Sequence, residues 1–130
     1  SDAARWLRQG TVDYLMPQLY WGQAYEKDGD TAHSLPRLAA AWAALPRAAG
    51  VQLYAGLGAY RIGVGDGGAN ADSTSQWATG SALARQTADL RSRGAQGWAL
   101  YRYDSLFGPA RNDLAAAECA ALTAQNGETR

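Results

Sequence analysis

The sequence predicts an α/β fold in which parallel strands alternate with helices, and three observations carry that expectation. Apolar runs bounded by glycine, at Val12–Tyr20, Val51–Tyr60 and Gly97–Tyr103, have the length and composition of buried strands. Their starts lie roughly 40 residues apart, which leaves room for a crossover helix in each interval, as in βαβ units. Each run ends alike, in aromatic and polar side chains: QLYW, AYR and YRYD. Strands of this apolar kind belong to parallel sheets buried on both faces, and ligand sites in such folds gather at the strand C-termini.

The elements follow in order. Asp2–Gln9 reads as the end of a helix, with Gly10 as its stop. The first strand, within GTVDYLMPQLYWG, carries Val12, Tyr14, Leu15, Met16 and Leu19 for a core, and Pro17 marks a strand end or bulge. Residues 22–33 form a polar loop. Ser34 is placed to cap the next helix, Pro36 suits its first turn, and Leu35, Leu38, Ala39, Trp42 and Leu45 recur at helical spacing up to Gly50. Gly56 and Gly58 in the second strand point to close approach of a neighbour or to strong twist. A long loop, RIGVGDGGANADSTSQW, comes next, of the kind that is functional or mobile. A helix runs from about Gly80 to Arg93 and stops at Gly94. After the third strand, Asp104–Pro109 is a turn, a last helix runs from Asn112 or Asp113 through Leu122, and the tail QNGETR frays.

The composition sets bounds on function. A chain of 130 residues with 47 % hydrophobic residues builds one domain, residues 1–130, with a real core. Twelve basic and twelve acidic residues cancel, so no strong field draws nucleic acid. No window approaches the ~18 apolar residues of a membrane span. The single cysteine, Cys119, lies in an Ala-rich helical stretch and reads as a small core residue. The chain has no initiating Met and opens directly in helix, which reads as the continuation of an upstream sequence. Three parallel strands alone leave two open edges and a half-covered sheet. The expectation is therefore part of a larger barrel, with a small complete sheet pairing with another copy as the alternative.

Aromatic rings matter for a sugar ligand, because the C–H face of a pyranose packs on an indole or phenol ring. Tyr20, Trp21, Tyr60, Tyr101 and Tyr103 stand at or near strand C-ends, with Trp21 and Tyr60 as the favoured platforms and Gln18 as a hydrogen-bonding partner at the pocket floor. Alternation puts Tyr101 and Tyr103 on one face and Arg102 on the other. Arg61 or Arg102 can hold a carboxylate in bidentate fashion, or form an ion pair with Asp13 or Asp104. Glycoside hydrolysis uses two carboxyl groups ~5–10 Å apart, and Asp104, directly after the third strand, is the best-placed candidate for a catalytic carboxylate; its structural alternative is a turn residue. Asp13 reads as structural, at the base of the first strand. Glu26, Asp28 and Asp30 read as solvated loop charge, without the ligand spacing of a calcium loop. Gly63, Gly65 and Gly68 match G-x-G-x-x-G, but no helix opens at once after them, so nucleotide binding is not expected. His33 is the only histidine and has no Cys/His cluster about it. No cofactor and no metal are expected.

The run Trp6, Leu7, Gly10, Val12, Asp13, Tyr14, Pro17, Gln18, Tyr20 and Trp21 resembles the bacterial glycosyl-hydrolase-like (β/α)8 barrel family of the YngK/YddW type. LYAGLGAYRIG is similar to that family's seventh strand and GAQGWALYRYDSLF to its eighth, so the resemblance covers roughly residues 2–107. The loop QAYEKDGD and the Gly-rich loop after Arg61 depart from it. The resemblance implies a TIM-type barrel acting on bacterial polysaccharide, either peptidoglycan glycan or exopolysaccharide, in the cell envelope or secreted. It implies that this chain supplies strands six to eight, and that the main acidic pair lies upstream on the fourth strand, which puts activity of the 130-residue piece by itself in doubt. The partners are then a polysaccharide or oligosaccharide and the remainder of the barrel or another copy of the chain. The rival readings are a non-catalytic carbohydrate-binding module and a structural one.

Overall fold

The computed structural model describes residues 2–67, 73–109 and 111–128. Its elements are α1 (Asp2–Gln9), β1 (Tyr14–Leu15), β2 (Gln18–Leu19), α2 (Leu35–Ala43), β3 (Gln52–Gly58), a 3₁₀ turn (Ala59–Arg61), α3 (Ser73–Gln76), α4 (Ala82–Ser92), β4 (Gly97–Tyr101), α5 (Tyr103–Phe107) and α6 (Asp113–Glu128).

β1, β2 and β4 all pair with β3, and every pairing is parallel. The first predicted strand is present as two short pieces. Tyr14 stands opposite Gln52 and Gln18 opposite Gly56, so the register is the same on both sides of Met16–Pro17 and there is no bulge. Pro17 has no N–H to give the ladder. Its carbonyl still accepts Gly56 N–H at 2.8 Å. The sheet thus has three parallel tracks, with β3 in the centre.

Leu19, Ala55 and Leu57 turn to one face and join Leu35, Ala39, Trp77, Leu83, Leu90, Leu106 and Leu122 in the core, with Trp98 and Leu100 packed against it. α2 packs on β2 and α4, and α6 packs on α4 and α5. The opposite face was expected to be buried as well, and it is open. Tyr14 is 54 % exposed, Met16 43 % and Tyr101 50 %, because the described helices of this core lie on one side only. A hollow of about 370 Å³ lies there between Tyr14, Met16, Tyr54 and Ala99. A parallel sheet with helices on one side is compatible with part of a TIM-type wall, and three tracks do not close a barrel.

Several local expectations are corrected. Ser34 precedes α2, but its side chain makes no capping bond, and Pro36 provides the first-turn preference. The stretch Asp104–Pro109 begins as helix α5, so β4 ends at Tyr101 rather than Tyr103. The tail does not fray at Gln125: α6 continues through Glu128, held where the Gln125 amide bonds the Thr87 hydroxyl at 2.9 Å and Arg91 Nη2 donates to Asn126 Oδ1 at 3.2 Å. The long loop contains the end of the 3₁₀ turn and α3; its residues 68–72, with Gly68 of the G-x-G-x-x-G pattern, lie outside the described residues.

Helix α4 begins on a carboxylate from another element. Glu118 of α6 is fully buried, and its two oxygens accept Ala82 N–H at 2.8 Å and Leu83 N–H at 3.0 Å. These donors have no partner within the helix, so the contact caps α4. Burial pushes the Glu118 carboxyl above its ordinary value, against the opposing pull of the two N–H groups and of Arg85.

Candidate functional site at the strand C-termini

The parallel direction of the sheet brings the ends of β2, β3 and β4 to one rim. Tyr20 follows β2, Tyr60 lies in the 3₁₀ turn after β3, and Tyr101 ends β4. Their rings form one group. Tyr20 stacks on Tyr101 with centroids 5.7 Å apart, and Tyr60 stands edge-on to both, at 5.8 Å from Tyr20 and 6.1 Å from Tyr101. Two glycines make this possible. A Cβ on Gly58 would lie 3.2 Å from the Tyr60 ring and 3.3 Å from Tyr20 Cβ, and one on Gly56 would lie 3.5 Å from the Tyr20 ring. Burial, and then the charges of Tyr101 and Tyr60, hold the Tyr20 phenol above its ordinary value.

Arg61 braces this group. Its Nε donates to the Tyr20 carbonyl at 3.2 Å and its Nη1 to the Gly65 carbonyl at 3.3 Å, and the guanidinium lies 5.0 Å from the centre of the Tyr60 ring. Neither expected ion pair forms: among the described residues, no arginine reaches Asp13 or Asp104, and the ion pair present is Arg93–Asp89. Arg102 is exposed and lies 6.0 Å from the Tyr101 ring centre.

The other predicted residues fall in separate places on or near the rim. Trp21 joins Tyr25 and His33 in a second aromatic group, with centroids 6.3 Å and 5.4 Å away. Tyr103 leaves the strand and stacks on Phe107 at 5.1 Å, so it parts from Tyr101 rather than sharing its face. Gln18 is exposed on the open face of β2, beside Gly56. Asp104 is exposed in the first turn of α5. Asp13 is exposed ahead of β1, and Glu26, Asp28 and Asp30 lie in the β2–α2 loop, also exposed. Among the described residues, no group of three or more His, Cys, Asp or Glu side chains is placed to hold a metal.

One central residue was not foreseen. Asp66 is 7 % exposed, and its Oδ1 accepts Gly22 N–H at 3.0 Å and the Trp77 indole N–H at 3.0 Å. Its Oδ2 accepts Gln76 Nε2 at 3.2 Å, while Gln76 Oε1 accepts Ala24 N–H at 2.8 Å. The carboxylate therefore ties the loop after β2 to the loop after β3. Its setting between glycines offers no periodic signal, and the only hint is an acidic residue in a loop that precedes a tryptophan.

Sequence comparisons place this parallel α/β sheet and its aromatic rim in a family. Residues 1–78, from α1 into the segment just after α3, match the glycosyl hydrolase-like 10 family, and the chain belongs to that family. It is 33 % identical over 63 residues to glycosyl hydrolase DigH of Escherichia coli K12, and equally to the DigH of Shigella flexneri. That alignment covers 48 % of this chain and 13 % of the relative, so the match spans about an eighth of those proteins. No solved structure matches. Among the described residues, no helix is long and apolar enough to cross a membrane.

Proposed function

We propose that this chain is the C-terminal portion of a (β/α)8 barrel, strands six to eight, and that its strand C-termini bind bacterial polysaccharide. The observation that carries the reading is the joining of Tyr20, Tyr60 and Tyr101 into one aromatic group at the ends of three adjacent parallel tracks. Membership of a glycosyl hydrolase-like family supports a carbohydrate ligand. The open sheet face supports the barrel: Tyr14, Met16 and Tyr101 stand exposed on it beside a hollow of about 370 Å³, which side chains from further strands would cover.

In this reading Tyr60 and Tyr101 receive sugar C–H faces, Gln18 and the Tyr20 hydroxyl bond sugar hydroxyls, and Trp21 and Tyr103 extend the platform to either side. Arg61 keeps its bracing role, with the remaining guanidinium N–H groups available to a sugar carboxylate. The parent protein hydrolyses its glycan, peptidoglycan glycan or exopolysaccharide, outside the cytoplasm, with an acidic pair on an upstream strand. Asp104 is the carboxylate that this portion contributes, as an auxiliary group at the rim. The test is a calorimetric titration of soluble glycan oligosaccharides into the intact protein and its Tyr101→Ala variant. Saturable binding that falls roughly tenfold or more in the variant supports the reading, since a stacked ring is worth on the order of 1 kcal/mol beyond its area. Equal affinity in both, or no binding in either, rejects it.

A further inference from the structure

We infer that Asp66 and Gln86 are positioning residues for the glycan site, and that they act through the ring of Trp21. The inference rests on the glycan-binding reading above and adds to it the residues that set the platform before the ligand arrives.

The ladder stops holding the chain at Leu19, where β2 ends, and Trp21 lies beyond it. Side chains take over there. The peptide group between Trp21 and Gly22 is gripped on both edges: its carbonyl accepts Gln86 Nε2 at 3.1 Å, and its N–H donates to Asp66 Oδ1 at 3.0 Å. Gln86 comes from α4 and is 1 % exposed; Asp66 comes from the loop after β3 and is 7 % exposed. Arg61 holds the carbonyl just before, on Tyr20, and Gln76 holds the N–H of Ala24 just after. No side chain fits at position 22, because a Cβ on Gly22 would collide with the Gln76 amide. A loop at the rim of a sheet can give its backbone groups to water. This one is fixed from beneath by buried groups of two separate elements.

Fold stability alone accounts poorly for Gln86. Its Oε1 is buried and has no hydrogen-bond partner among the described residues, and a buried acceptor left unpaired is costly. A methionine has similar length without that cost. What the glutamine supplies is the Nε2 that orients the Trp21 backbone. The indole needs this support, because its ring contacts, Tyr25 at 6.3 Å and His33 at 5.4 Å, belong to the polar loop and not to the core. A platform fixed in advance spares the ligand the cost of ordering it, worth roughly two- to tenfold in affinity for one immobilised side chain.

The test is a double-mutant cycle in the intact protein. It is read by calorimetric titration of a peptidoglycan glycan tetrasaccharide, with an oligosaccharide digest of bacterial exopolysaccharide in parallel. Gln86→Met should weaken binding roughly fivefold, and Trp21→Ala should weaken it more. In the Trp21→Ala background, Gln86→Met should change affinity by less than about twofold, since the ring it positions is gone. Gln96→Ala is the control. It removes an oxygen that accepts Leu53 N–H at 2.9 Å and Arg47 Nη1 at 3.2 Å, at the other end of β3, and should leave affinity unchanged. Heteronuclear relaxation of the Trp21 indole N–H should show greater mobility in Gln86→Met than in wild type. Asp66→Asn runs the same cycle and keeps the test decisive if Gln86→Met does not fold. An equal loss with and without the Trp21 ring marks a structural role and overturns the positioning role. Unchanged affinity or unchanged Trp21 mobility in the variant overturns it too, and in each of these cases the rim reading stands. If neither saccharide binds wild type, the glycan reading fails and the positioning role with it.

Discussion

The indole N–H of Trp77 donates to Asp66 Oδ1 at 3.0 Å, and the same oxygen accepts Gly22 N–H from the loop after β2. One buried carboxylate thereby fixes the position of both loops that flank the aromatic rim. Asp66→Ala leaves these donors and Gln76 Nε2 facing an empty site, and a buried charged acceptor removed in this way costs about 2–4 kcal/mol. Urea denaturation should show that loss. Asp66→Asn should be destabilising too, because one of its ends presents a donor where the protein already presents donors.

Glu118 makes a pH prediction whose sign follows from its raised carboxyl value. The folded chain keeps this proton to a higher pH than the unfolded chain does. Its contribution is therefore fully present below the ordinary carboxyl value of 4.5 and is lost as pH rises through the folded value. Thermal unfolding of wild type and Glu118→Gln across the acid to neutral range should show wild type losing ground to the variant as pH rises. Glu118→Ala should destabilise at every pH, by about 1–2 kcal/mol for the lost cap.

Gly58→Ala tests the packing beneath the rings. The new methyl would stand 3.2–3.4 Å from Tyr60, Tyr20 and Arg61. Overpacking of this kind costs about 1–3 kcal/mol. The variant should also weaken oligosaccharide binding by more than its stability loss explains, which titration at a temperature far below its melting point will separate.

Tyr20 should ionise later than an ordinary phenol. Its phenol lies above 10.0, first through burial and then through Tyr101 and Tyr60. The neutral phenol is the form the fold favours, so its stabilising contribution holds below the unfolded value and disappears as pH rises through the folded one. Ultraviolet absorbance titration should show a tyrosinate step that is delayed in wild type and missing from Tyr20→Phe.

What could be read from the sequence was local or periodic. The stop at Gly10 is a single-residue signal, and Gly10 does adopt a positive φ of 68°. The three parallel tracks followed from repeated strand–helix spacing, and Gly56 and Gly58 pointed to close approach of a neighbour or to twist, where the structure puts the Tyr20 and Tyr60 rings. What escaped was set by distant partners. Asp66 meets Gly22 across 44 residues, and Glu118 meets Ala82 across 36, in helices whose alanines give no pattern to mark a buried acid. The end of β4 was missed for a different reason: YRYD looks like strand by composition, yet Tyr103 already opens a short helix with Asp104 in its first turn, and its ring goes to Phe107. The tail was misjudged because its polar residues bond to α4 rather than to water.

The most direct test of the shared aromatic rim is hydroxyl-radical footprinting of the intact protein with and without bound glycan oligosaccharide, read at each tyrosine. Protection of Tyr60 and Tyr101, with Tyr14 on the lower part of the open sheet face unchanged, is the predicted result. Protection confined to other surfaces, with Tyr60 and Tyr101 as reactive as in the free protein, would contradict it.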